Sequence, residues 1–129
     1  MHGVARPIVV AVTVLTSMDE GDLEAVGQPT PPHDQVIRLA ELTKSAGLDG
    51  VVCSPKEAAA VRESCGDPFV RIVPGIRPSW SATNDQKRFT TPKQALSDGA
   101  SYLVIGRPIT QAEDPVEAAF RIATELEGE

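Results

Sequence analysis

A chain of 129 residues can form one domain with a substantial core, but not two. With 41% hydrophobic and 23% charged residues it has the make-up of an ordinary globular protein. A net charge of -6 argues against a nucleic-acid surface, so any anion site must be local, and 4% aromatic content argues against base-stacking platforms.

The two cysteines, Cys53 and Cys65, are too few for a disulfide framework and lack metal-ligand spacing. They read as reduced thiols of a cytoplasmic protein. The longest apolar run, "PIVVAVTVL", is too short to span a bilayer. The opening "MHGVARP" has neither the charged start nor the cleavage site of a signal peptide. It leads at once into an apolar strand, as if the chain opened in the middle of a larger unit.

In chain order, "IVVAVTVL" (Ile8–Leu15) is continuously apolar and β-branched, the pattern of a strand buried on both faces. "DEGDLEAVG" reads as a short extra helix, with Thr16 and Ser17 as turn residues able to cap it, and "QPTPPH" as a turn-rich connector. Asp34 is placed to cap "QVIRLAELTKSA", with Val36, Leu39, Ala40 and Thr43 on one face and Gly47 ending the helix. Three further strands are expected at Gly50–Cys53, Phe69–Val73 and Tyr102–Gly106, the middle one carrying Arg71, which argues against its full burial. Three later helices start with one device: "SPKE" at Ser54, "TPKQ" at Thr91 and "DPVE" at Asp114. Each offers a capping oxygen, a proline at the first helical position, and Glu or Gln three residues after the cap. The last helix places Val116, Ala119, Phe120 and Ala123 at core-facing spacing.

The order β-α-β-α-β-α-β-α implies a parallel sheet with right-handed crossovers, in one unit over residues 1–129 with no second domain. Two architectures fit: a small open flavodoxin-like sheet, or half of a (β/α)8 TIM barrel, which when complete takes roughly 250 residues. Periodicity does not choose between them.

In both, ligands bind at the carboxyl ends of the strands. There stand "TSMDE", "SPKE", "PGIRPSW" and "GRPIT". A glycine lets a ligand oxygen approach the backbone, and a guanidinium offers a planar fork of donors for a phosphate. A single arginine at a strand end is ordinarily a surface ion partner. Arg77 and Arg107 together, ending consecutive strands, have one economical explanation: they converge on a dianion. Gln86 alone reads as a solvated loop residue, His2 and His33 lie in loop-like sequence, and Cys53 reads as a small buried hydrophobe. No Ser/His/Asp arrangement, metal-ligand spacing, Walker loop or dinucleotide fingerprint occurs. The residues by themselves indicate an α/β unit with a phosphate site.

"VTVLTSMDEGDL", "GLDGVVCSPKEA", "PGIRP", "NDQKRFTTPKQAL" and "DGASYLVIGRPITQAEDP", in this order, closely resemble the C-terminal half of bacterial orotidine 5'-phosphate decarboxylases, from about Pro7 to the last helix. The resemblance implies strands five to eight of a (β/α)8 barrel. The family works as a homodimer and converts orotidine 5'-monophosphate (OMP) to uridine 5'-monophosphate (UMP) without cofactor or metal, in pyrimidine biosynthesis. By resemblance Arg77, Gln86, Gly106 and Arg107 hold the substrate phosphate, while Thr16 and Ser17 lie against base and ribose. The family's Asp-x-Lys-x-x-Asp motif, whose lysine stabilises and protonates the C6 carbanion, has no counterpart here; Lys87 in "DQKRFT" is out of frame. No catalytic residue is therefore expected in this chain, and alone it should be inactive. It should pair with an N-terminal half-barrel or self-associate as a homo-oligomer, with no nucleic-acid or membrane partner. The competing readings are a non-catalytic nucleotide- or phosphate-binding module and a purely structural partner half.

Overall fold

A computed structural model of the chain describes residues 3–81 and 90–128. Its elements in order are β1 (Val10–Val12), α1 (Glu20–Ala25), α2 (Pro32–Ser45), β2 (Gly50–Val52), α3 (Ala58–Cys65), β3 (Val70–Val73), α4 (Pro92–Ser97), β4 (Tyr102–Leu103), α5 (Arg107–Thr110) and α6 (Pro115–Glu127). The four strands are parallel and lie in the order β1-β2-β3-β4. A flavodoxin-like sheet reverses direction at a switch point, giving 2-1-3-4. Sequential order without reversal is the winding of half a (β/α)8 barrel. All four strands are shorter than the apolar runs that contain them.

Local chemistry accounts for most helix ends. Asp19 opens α1 with a reciprocal capping box, its side chain accepting from the Asp22 amide while the Asp22 carboxylate accepts from the Asp19 amide. The cap is thus Asp19, not Thr16 or Ser17. Thr91 and Asp114 cap α4 and α6 as expected, each with proline next. Gly47, at φ 88°, closes the end of α2.

Two expected caps fail. α2 begins earlier, at Pro32, so Asp34 sits within the first turn and caps nothing. Residues 55–57 form a turn and α3 starts only at Ala58, leaving the Ser54 hydroxyl without a capping role. In that turn the Glu57 amide bonds to the Ser54 carbonyl at 3.1 Å, an exchange that replaces the side-chain cap.

The core lies between the sheet and its helices: Val51, Cys53 and Val73 pack with Val36, Ala40, Ala58, Val61 and Ala95. Along a strand the faces alternate, and the opposite face is open. In the register row Val12, Val52, Ile72 and Tyr102, the two end residues are 58% and 54% exposed and the middle two are half-buried. The sheet is therefore buried on one face rather than two. A run of eight apolar residues reads as doubly buried because the concave face of a barrel is also apolar; half a barrel leaves it bare.

α6 departs from expectation in the same way. Its buried residues are Ala118 and Ile122, whereas Val116, Ala119, Phe120 and Ala123 face outward, Phe120 at 70% exposure. The helix carries apolar residues on more than one face, and spacing alone does not say which one meets α4 and α5.

Arg71 is buried within β3, although a charged residue there argued against burial. Its guanidinium donates to the carbonyls of Gly99, Asp67 and Phe69, closing polar groups at the amino end of β3. Cys53 is a buried small residue, as expected.

Candidate functional site

The loops that leave the carboxyl ends of the strands form two neighbouring cavities. After β3 the chain turns at Gly75, whose φ of 76° is a backbone state that side chains disfavour. A Cβ there would lie 3.5 Å from Thr16 Cγ2, so the exits of β3 and β1 approach closely at this point. Ile76 then bridges to Thr90, and the Arg77 amide donates to the Thr90 carbonyl at 3.0 Å.

The first cavity, about 330 Å³, is lined by Arg77, Trp80, Ser81, Arg107, Pro108 and Gln111, among others. Arg77 is only 3% exposed; Arg107, at the first position of α5, is exposed. Arg77 and Arg107, from consecutive strand exits, thus line one space. Gly106 caps α5 with its carbonyl, which accepts from the amides of Ile109 and Thr110, and a Cβ built on it would meet open space. Trp80 is fixed by α6. Its indole N–H donates to Glu125 at 2.6 Å, and the Arg121 guanidinium stacks 4.3 Å from the ring centroid.

The second cavity, about 600 Å³, opens among the exits of β1, β2 and β3, with Thr16, Asp19, Ser54, Lys56, Glu57 and Gly75 on its walls. Ser17 is exposed nearby in the turn. Burial raises the pKa of the Glu57 carboxyl; the charges of His33 and Lys56 oppose that shift. Gln86 lies outside the described residues. Of the residues singled out in the sequence, Arg77 and Arg107 therefore share one cavity and Thr16 borders the other, with Gly75 beside Thr16 and Arg77 two positions on.

Four lining residues were not singled out from the sequence, although three of them lie in strand-end stretches: Trp80, Gln111, Ser54 and Glu57. Trp80 stands three residues after Arg77 in "PGIRPSW", and that adjacency is its one sequence clue. Ser54 and Glu57 were masked by their resemblance to a capping box. Among the described residues no group of three His, Cys, Asp or Glu could hold a metal ion, and no helix is long and apolar enough to cross a membrane.

The model of the orotidine 5'-phosphate decarboxylase / HUMPS family matches residues 2–122. An orotidine 5'-phosphate decarboxylase of Rhodospirillum rubrum is 57% identical over 126 residues, which is 98% of this chain and 51% of that protein. One from Paramagnetospirillum magneticum is 58% identical over 124 residues, covering 96% and 53%. The crystal structure of orotidine 5'-phosphate decarboxylase from Lactobacillus acidophilus superposes with a TM-score of 0.81 at 39% identity, over 98% of this chain and 52% of that one. The chain spans about half the length of the curated relatives it matches.

Proposed function

Because the chain belongs to the orotidine 5'-phosphate decarboxylase / HUMPS family, we propose that it is the C-terminal half of an OMP decarboxylase, strands five to eight of the barrel. In this reading it carries the phosphate grip and part of the nucleoside site of a cytoplasmic lyase, and the Lys/Asp array comes from elsewhere. The observation that carries the proposal is the convergence of Arg77 and Arg107 on one cavity beside the space bordered by Thr16. Two guanidinium groups fit a dianionic phosphate, with Gly106 leaving its approach open, and Gln86 is by family resemblance a further phosphate contact. Thr16 and Ser17 then meet the nucleoside.

Remote phosphate binding contributes to catalysis only where reacting groups are present. Without a lysine in the family's motif, the chain by itself binds and does not turn over. The open face of the sheet, the edges of β1 and β4 that no strand pairs among the described residues, and the outward stripe Val116/Phe120 all favour a partner that completes the barrel. That partner is an N-terminal half-barrel, or a second copy that yields a homo-oligomer.

Calorimetry with UMP and turnover of OMP, each with and without a separately expressed N-terminal half, test the reading. UMP binding without turnover, with activity restored by the other half, is expected. Turnover by the chain alone would refute the division of labour, and failure to bind UMP would refute the grip. Light scattering tests assembly: an oligomer that Phe120→Glu dissociates is expected, and a monomer at micromolar concentration would remove self-association.

A further inference from the structure

Trp80 is the one tryptophan of the chain, and it lines the same cavity as Arg77 and Arg107. α6 holds its ring from two directions. The Glu125 carboxylate accepts from the indole N–H at 2.6 Å, a charge-assisted bond, and the Arg121 guanidinium lies 4.3 Å from the ring centroid. Those two residues are four apart and so share a face of the helix. Between Arg77 and Trp80 the chain is stiff. Pro78 is fully buried and its ring fixes φ, while its carbonyl accepts from both the amide and the hydroxyl of Ser81, at 3.1 and 3.0 Å. On the other side the Arg77 amide is tied to the Thr90 carbonyl. What holds Trp80 therefore also directs Arg77. The second arginine depends on the same helix, because Arg107 opens α5 and α5 packs against α6.

We infer that Glu125 and Arg121 are positioning residues for the phosphate grip: acting through Trp80, they set the separation between the loop that carries Arg77 and the helix that carries Arg107. This deepens the proposed function and rests on it. Both residues stand outside the lining of the grip cavity. Trp80 bridges the distance, bordering the grip on one side and, on the other, a cavity of about 360 Å³ against α6 that Arg121 lines. Two guanidinium groups close on one dianion only when their spacing matches its oxygens, and a misplacement of about 1 Å forfeits much of the benefit. A carboxylate near an anion site would by charge alone oppose binding. The contribution of Glu125 is therefore geometric, and removing it should weaken binding where simple electrostatics would strengthen it.

The test uses the full chain, with UMP and inorganic phosphate as ligands in calorimetry and the emission anisotropy of Trp80 as a reporter of its mobility. Glu125→Leu is expected to lower the anisotropy without ligand and to weaken both ligands by the same factor, roughly tenfold. Glu125→Gln, whose amide oxygen still accepts the indole N–H, is expected to restore affinity and anisotropy to near wild type. Arg121→Met should lose roughly threefold, the scale of an exposed cation–π contact. Trp80→Phe deletes the N–H and should weaken both ligands as Glu125→Leu does. The double variant should lose no more than either single one, because the carboxylate acts only through the indole. Trp80→Phe and Glu125→Gln carry the test even if Glu125→Leu does not fold. Wild-type affinity in Trp80→Phe, additive losses in the double variant, or a Glu125→Gln as weak as Glu125→Leu would each overturn the inference. So would a lower melting temperature with both affinities intact, the mark of a contact that serves stability alone. In each of those cases wild type still binds both ligands and the grip stands. If wild type binds neither, the phosphate reading fails and this inference falls with it.

Discussion

Arg77 and Arg107 reach one cavity from opposite circumstances, the first buried behind the exit of β3 and the second exposed on the opening turn of α5. The buried arginine is held in direction by the surrounding chain, whereas the exposed one sits on the surface at the head of α5. Their loss should therefore differ in kind.

Arg107→Ala should weaken nucleotide binding by about 1.5–3 kcal/mol, the range for a hydrogen bond to a charged group, and leave the melting temperature nearly unchanged. Arg77→Ala should weaken binding as much and also lower stability, because it empties a buried position. Calorimetry with UMP, paired with thermal melts, separates the two; equal stability of both variants would contradict this account.

Gly50 pairs with Val70 in the sheet, and a Cβ on it would run into the Val70 carbonyl, with the carbonyl carbon at 2.7 Å. Backbone cannot step aside as a flexible side chain can. Gly50→Ala should cost about 2–4 kcal/mol of stability, as overpacking against rigid neighbours does. Urea denaturation measures it, and a loss under 0.5 kcal/mol (roughly the level of a neutral surface change) would show that the strands can spread.

Two carboxyl groups give opposite pH dependences. Asp49 accepts from the Val9 amide at 2.7 Å and from the Arg6 guanidinium at 2.8 Å, and these bonds, the backbone one foremost, hold its pKa below the usual 3.8. Its contribution to stability is complete above that unfolded value and is lost as pH falls through the lower folded value. Burial raises Glu57 above the usual 4.5, so the folded state holds its proton more tightly. That contribution is complete below 4.5 and is lost as pH rises through the higher folded value. Asp49→Asn should thus differ least from wild type in acid and lose ground as pH rises. Glu57→Gln should gain ground over the same rise. Melting midpoints across the acid range check both signs.

Desolvation, followed by the nearby charge of Glu57, pushes the Cys53 thiol up to about 12, and burial raises Cys65 as well. Both thiols are buried. At pH 8 a thiol-specific reagent should label neither in the folded chain and both in denaturant. Rapid labelling of native protein would mean that α3 opens readily from the sheet, since Cys65 ends that helix.

The sequence by itself determined what depends on neighbours a few residues apart: four β-α units, the caps at Thr91 and Asp114, the stop at Gly47, and arginines at the exits of β3 and β4. Such features arise from turn chemistry and side-chain period, which a short window contains. Tertiary structure decided whatever depends on which apolar face finds a partner. Strand order excluded the flavodoxin-like sheet, because each unit alone is equally content in either winding. Packing chose Ala118 and Ile122 over Val116 and Phe120 on a helix with more than one apolar face, and it buried Arg71 among carbonyls that only the fold assembles. It also kept Ser54 and Glu57 out of the cap their spacing suggests, since a hydrogen bond three residues away competes with the position of an entire strand exit.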